Sequence, residues 1–200
     1  MYNRCVKQKQ SAWILDLAEN NDGYVEVAAL KQMGVAQTAL SSLVEEGVFR
    51  KVAKGLYLRR GYPEDIYYIL HRTYKKAVFS LRSSAVLQGL LDDGDEPYCN
   101  LPTGYMTHGL PGATCRHVGK KEFELGLSLA VTKHGNFVPC YDKERTLIDV
   151  LRYPESFSKK EIESIFRQAY PNANQEKLNG YARAFKSEGA LKLALAFLRS

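Results

Sequence analysis

Three helix-patterned stretches, each closed by glycine or by a run of turn formers, open the chain, and no other feature restricts its fold as much. Val6, Trp13, Ile14, Leu17 and Ala18 recur at helical spacing and predict an amphipathic helix over residues 4–20. Asn20, Asn21, Asp22 and Gly23 are turn formers that end it. Tyr24 and Val25 read as a short extended segment. Residues 26–33 read as a brief second helix stopped by Gly34, because glycine accepts the left-handed backbone a helix end often needs. A third helix is predicted over 36–46, with Gly47 after it. Residues 49–52 and 56–58 then read as two short strands around the turn Ala53-Lys54-Gly55.

Three helices, the last two joined by a glycine turn and followed by a small hairpin, are the order of a winged helix-turn-helix. Leu40, Leu43 and Val44 turn one face of the third helix to the core. Gln37, Thr38, Ser41 and Ser42 are left pointing outward near its N-terminus, as short polar groups able to meet base edges or phosphates. A plain solvated helix face would look the same, and the neighbouring hairpin decides between the two readings. From Arg50 to Arg60 the chain carries Arg50, Lys51, Lys54, Arg59 and Arg60 and no acid. Cations there are placed to touch a phosphate backbone, so residues 1–60 are expected to bind double-stranded DNA.

The whole-chain charge agrees with this but is weaker evidence. Twenty-eight lysines and arginines stand against 22 acids, a net charge of +6, and the isoelectric point is about 9.0. Such a surplus suits a polyanionic partner without requiring one. A second acid-free run holds Arg72, Lys75, Lys76 and Arg82, while acids gather at Asp92, Asp93, Asp95 and Glu96. The second run is expected to add contacts to flanking DNA, or else to be a solvated face.

Residues 61–76 read as a helical connector, with Pro63 at a first helical position, Glu64 and Asp65 in the first turn, and Ile66, Ile69, Leu70 and Tyr74 as the buried stripe. Residues 77–200 read as a second domain of α+β class, strands first and helices after. Strands are expected near 77–80 and 98–101, a helix near 84–91, and a loop over 102–114. A hairpin is expected from 127–132 and 137–141. Asp142 is placed to cap a helix through Leu151, and Ser158-x-x-Glu161 is a capping box opening the next.

Catalytic signatures are sparse. There is no Gly-x-Ser-x-Gly, His-Glu-x-x-His or Gly-x-Gly-x-x-Gly. Gly119-Lys120-Lys121 lacks the rest of a phosphate loop and reads as a basic turn. Cys5, Cys99, Cys115 and Cys140 include no Cys-x-x-Cys pair, and Cys115-x-His117 is too few ligands for a metal site. No cofactor or metal is expected, nor is a membrane span, and the chain reads as cytosolic. A nuclease built on Asp142, Glu144 and Asp149 stays open as a second class, although Asp149 stands four residues after Arg145, the spacing of an intrahelical pair. A repressor with a small-molecule sensor in its second half stays open as a third.

Ala29-Leu30 to Gly34, Leu40 to Val44, Gly47 and Lys54-Gly55-Leu56-Tyr57 together resemble the winged-helix domain of the abortive-infection antitoxins called AbiEi. Leu81-Arg82-Ser83-Ser84-Ala85-Val86-Leu87 with Gly89-Leu90, and Asp142 to Leu151 (DKERTLIDVL), resemble segments of that family's C-terminal domain. The resemblance implies an antitoxin of a type IV toxin–antitoxin system conferring phage resistance. It implies repression of its own operon by binding inverted repeats, and a C-terminal domain that counteracts a nucleotidyltransferase-like toxin without a stable complex. The third helix carries no cation, so base contacts would rest on Gln37, Thr38 and Ser41. In the second domain Leu147, Ile148 and Leu151 are expected in the core. Arg145, Lys159, Lys160, Arg183 and Lys186 are expected to probe toxin neutralisation while leaving that core intact.

Overall fold

The computed structural model describes residues 2–92, 94, 96–105 and 112–198, with side chains from residue 8 onward. Asp93, Asp95, His108 and the glycine- and proline-rich stretch 106–111 lie outside the described residues. The chain is of mixed α+β class and forms two compact units. One comprises residues 1–73 with 134–136, the other 74–133 with 137–200.

In the first unit the order is α1 (Tyr2–Glu19), β1 (Tyr24–Glu26), α2 (Val27–Gln32), α3 (Gln37–Glu45), β2 (Phe49–Ala53), β3 (Leu56–Arg59) and α4 (Ile66–Thr73). The three helices, the extended segment and the hairpin stand where the sequence places them. Ile14 and Ala18 of α1, Leu30 of α2, Leu40 and Leu43 of α3 and Phe49 of β2 are buried in one cluster. One pairing was not foreseen: β1 adds to the hairpin as an antiparallel strand beside β3, giving the sheet order β1-β3-β2. A three-residue strand has too little local pattern to announce a partner some thirty residues away.

Two expectations about residues 61–76 are corrected. The helix begins at Ile66, not at Pro63, and the Asp65 carboxylate accepts the amide of Tyr68 at its start, 3.1 Å away. Ile69 and Leu70 are buried as expected, but Tyr67 is buried in place of Ile66, which is 39% exposed, and Tyr74 lies past the helix end and is half-buried. The Tyr24 hydroxyl accepts the Asp65 amide at 2.8 Å and ties strand β1 to the helix entry.

The second unit holds β4 (Val78–Phe79), α5 (Leu81–Leu87), β5 (Tyr98–Pro102), β6 (Thr114–Val118), α6 (Lys120–Glu124), β7 (Leu127–Val131), β8 (Phe137–Tyr141), α7 (Lys143–Arg152), α8 (Lys159–Ala169), α9 (Gln175–Ala184) and α10 (Glu188–Phe197). Its sheet runs β6-β5-β4-β8-β7. Pairs β4·β8 and β5·β6 are parallel and the other two antiparallel. The expected hairpin is present with an unbroken register from Leu127↔Tyr141 to Val131↔Phe137. Both helix caps are as read: the Asp142 carboxylate accepts the Arg145 amide, and the two halves of the Ser158/Glu161 box are made. Leu81, Ala85, Leu147, Ile148, Ile165, Phe166, Leu178 and Leu191 form the helical core, and Leu151 packs at its margin.

Residues 114–118, most of them given no element by the sequence, form a strand, while residues 120–124, at the expected basic turn, form a short helix, and the helix expected near 84–91 spans Leu81–Leu87 instead. The strand carries Arg116 and His117 among its five residues, so it lacks the apolar alternation that marks a half-buried strand.

Candidate nucleic-acid interface

In the first unit α3 buries Ala39, Leu40 and Leu43, which turns the opposite residues outward. Gln37, Thr38 and Ser41 are exposed. Ser42 is half-buried, and its hydroxyl donates to the carbonyl of Thr38 at 3.1 Å, so its hydrogen is already used on its own helix. The outward face offers an amide and two hydroxyls and no charge near the helix start.

The hairpin beside it sorts its cations into two groups. Lys51, Lys54 and Arg60 are exposed and make no ion pair among the described residues. Lys54 stands at the tip, followed by Gly55 at φ +75°, a turn conformation that a side chain resists. Arg50 is held by Glu64, and Arg59 by Glu19 at 2.8 Å. A side chain already paired must give up that partner before meeting a phosphate.

The second basic run divides the same way, across both units. Arg72 is paired with Glu26 and lies over the Tyr68 ring in the first unit. Lys75 and Lys76 are exposed, with the Lys76 ammonium 5.6 Å from the Tyr105 ring centre in the second unit. Arg82 donates to Glu161 at 2.8 Å and to the carbonyl of Ser156 at 3.1 Å. The Arg82 hydrogen bond and the Ser158 amide hold the Glu161 carboxyl down at about 2.

Among the proposed probes, Lys159, Lys160, Arg183 and Lys186 are exposed. Arg145 is not, and this corrects the expectation that its loss leaves the core intact. It is wholly buried. Its Nε donates to Asp149 at 2.9 Å, its Nη1 donates to the carbonyls of Glu122 and Leu125 at 2.9 and 2.7 Å, and its plane lies against the Tyr141 and Phe185 rings. Arg152 joins the cluster by donating to Asp149 and Glu122, and Arg116 pairs with Glu122 as well. Burial would raise Glu122, yet Arg152, Arg116 and Arg145 together hold it below its ordinary value. Burial pushes Asp149 up against the pull of Arg145 and Arg152. Sequence reasoning found the Arg145–Asp149 pair and missed its depth; the signal was that it shares a helix turn with Leu147, Ile148 and Val150.

The remaining carboxylates of the nuclease reading are each engaged elsewhere. Asp142 accepts from the Tyr181 hydroxyl at 2.9 Å and from Lys177, and Glu144 accepts the Asn174 amide at 2.7 Å. Among the described residues no group of three or more His, Cys, Asp or Glu could hold a metal ion. The two segments singled out in the C-terminal half meet one another. Ser84 of α5 and Thr146 of α7 share a hydrogen bond of 2.7 Å, and the Gln88 amide donates to Thr146 and to the Tyr141 carbonyl. These residues brace two helices against β8. No described helix is long and apolar enough to cross a membrane.

Residues 14–60 match a family profile described as "Transcriptional regulator, AbiEi antitoxin". No curated protein matches the chain. Among solved structures, the RV2827C protein of Mycobacterium tuberculosis is similar at a TM-score of 0.60 and 16% identity, over 85% of this chain and 69% of that one. At that identity the similarity concerns the fold.

Proposed function

We propose that the chain is a DNA-binding transcriptional repressor and antitoxin of a type IV system that confers phage resistance in the cytoplasm. In this reading residues 1–60 act as a winged helix-turn-helix, 61–76 connect, and 77–200 oppose a nucleotidyltransferase-like toxin without forming a stable complex with it. The observation that carries it is the juxtaposition, within one unit and inside the profile-matched stretch, of an uncharged polar face on α3 with Lys51 and Lys54 on the hairpin and Arg60 just after it, three exposed cations that make no ion pair among the described residues. Gln37, Thr38 and Ser41 supply groups that can pair with base edges, and Ser42 supports them. Lys51, Lys54 and Arg60 supply the sequence-independent attraction to phosphates, joined by Arg50 and Arg59 once those leave their acids. Lys75 and Lys76 of the second unit add backbone contacts to flanking DNA in this reading, with Arg72 and Arg82 held by Glu26 and Glu161. Inverted repeats in the chain's own promoter are the expected target.

The test uses the full chain. Binding to its upstream region is measured by gel shift for the parent, for Gln37→Ala with Ser41→Ala, and for Lys51→Ala with Lys54→Ala. The helix pair of changes is expected to erase the preference for promoter over scrambled duplex. The lysine pair is expected to weaken both duplexes alike. Co-expression with the toxin reads the second half: the lysine variant should lose repression and still rescue growth. Equal binding of promoter and scrambled DNA by the parent chain removes the DNA reading, and loss of rescue in the lysine variant removes the division of labour.

A further inference from the structure

Helix α3 is neutral where it starts and acidic where it ends. Gln37, Thr38 and Ser41 stand exposed toward its start, and Glu45 with the following Glu46 is exposed at its far end. A phosphate backbone repels those glutamates, so the helix enters a groove by its start. There the side chains of Gln37, Thr38 and Ser41 make no hydrogen bond among the described residues, whereas the Ser42 hydroxyl is committed to the Thr38 carbonyl. Three polar groups are thus left open on the part of the helix that can reach base edges.

Their chemistry selects among the bases. From Gln37 to Glu45 the helix has no arginine or lysine, the side chains that pair with O6 and N7 of guanine. The acid that could accept from a cytosine amino group, Glu45, is carried out of the groove with the helix end. A glutamine amide donates and accepts at once, which matches N7 and the N6 amino group of adenine. The threonine beside it brings a methyl that packs on the C5-methyl of thymine. We infer that α3 selects A·T pairs: Gln37 pairs with the major-groove edge of an adenine, and Thr38 packs on a neighbouring thymine methyl. This rests on the DNA-binding reading of residues 1–60 and names the bases that are read. Ser41 stands four residues on, about 6 Å along the axis and so roughly two base steps of ~3.4 Å away. Its hydroxyl can pair with either kind of base pair and adds affinity without choosing.

The experiment titrates the full chain against its upstream duplex, with each adenine of the stretch it protects from nuclease replaced in turn by 7-deazaadenine. That base pairs normally with thymine but lacks the N7 acceptor. One adenine in each half-site should cost about tenfold in affinity when replaced, and N6-methyladenine at the same position should weaken binding as well. Gln37→Ala should lose about as much on the unmodified duplex, lose nothing further from 7-deazaadenine at that position, and bind scrambled duplex as the parent does. Thr38→Ser keeps the hydroxyl without the methyl, and should lose what the parent loses when deoxyuridine replaces the neighbouring thymine. Gln37→Arg should move the preference at that pair from A·T to G·C. The inference is overturned, with DNA recognition left standing, if the parent prefers promoter to scrambled duplex and no adenine replacement weakens it. It is overturned in the same way if 7-deazaguanine is the replacement that costs affinity, or if Gln37→Ala weakens promoter and scrambled duplex equally, the mark of a phosphate contact. A parent chain that binds both duplexes alike removes the DNA reading itself and this inference with it.

Discussion

Gly126 and Arg145 are fitted to one another: a Cβ on the glycine would stand 2.7 Å from the Cβ of the arginine. Gly126 has φ +81° at the entry to β7, and its carbonyl accepts the amide of Asp142 just before α7. The absent side chain thus lets α7 approach closely enough for Arg145 to reach the Glu122 and Leu125 carbonyls. Gly126→Ala should combine a left-handed backbone penalty of about 1 kcal/mol with overlap costing about 2 kcal/mol. Urea unfolding should show a lowered midpoint. Arg145→Ala should cost about 3 kcal/mol, because it removes a buried partner of the Asp149 carboxylate and leaves Arg152 alone to pair it. Loss of toxin rescue in that variant would therefore report unfolding.

Glu161 should make the second unit sensitive to acid. Its carboxyl titrates at about 2 in the folded chain because Arg82 and the Ser158 amide bond to the ionised form. In the unfolded chain an ordinary glutamate titrates near ~4.3. A group whose pKa is lowered by folding adds stability that is full above the unfolded value and lost as pH falls toward the folded one. Parent stability should therefore decline between about pH 5 and pH 2. Arg82→Met should have a flatter decline over that range and should lie below the parent at pH 7. Parallel curves for the two proteins would show that the pair contributes nothing.

Lys186 sits at φ +54° just past the end of α9, where the Ser187 amide closes onto the Ala182 carbonyl at 2.8 Å. That is the left-handed closing residue of a helix, a place that favours glycine. Lys186→Gly should raise stability by up to about 1 kcal/mol, whereas Lys186→Ala keeps the strain and should change little. A melting-temperature comparison of the two variants decides it. Because the backbone responds to this position, effects on toxin rescue should be read from Lys186→Asn, whose side chain tolerates the same conformation.

What could be read from the sequence was what is local. Asp142, Ser158 with Glu161, and the hairpin around residues 133–136 act through neighbours a few positions away, and each stands where its pattern places it. The start of α4 was misplaced by three residues because Pro63 and Asp65 are both good helix openers, and the Asp65 carboxylate is the one that bonds to the Tyr68 amide. Strand β6 and the burial of Arg145 are set by distant partners: β5 for the strand, and Glu122, Leu125, Tyr141 and Phe185 for the arginine. The division of the basic residues into paired and unpaired was equally invisible, since Arg59 meets Glu19 across forty positions of sequence.

That division predicts how DNA affinity should depend on salt. Each phosphate contact releases counterions and contributes about 0.9 to the slope of log affinity against log salt. Lys51 and Lys54 make no ion pair among the described residues, so each can deliver a full contact. Arg50 and Arg59 begin in ion pairs with Glu64 and Glu19. For them, contact with DNA exchanges one anion for another and leaves a glutamate beside the phosphate. In the full chain, Lys51→Ala with Lys54→Ala should lower the magnitude of the slope by about 2. Arg50→Ala with Arg59→Ala should lower it by clearly less, despite removing the same formal charge. Glu19→Gln with Glu64→Gln should free the arginines and steepen the slope. Titration of a promoter duplex at several salt concentrations measures all three. Equal slopes for the lysine and arginine pairs would mean that only net charge matters and that the pairing seen on the hairpin does not govern the contact.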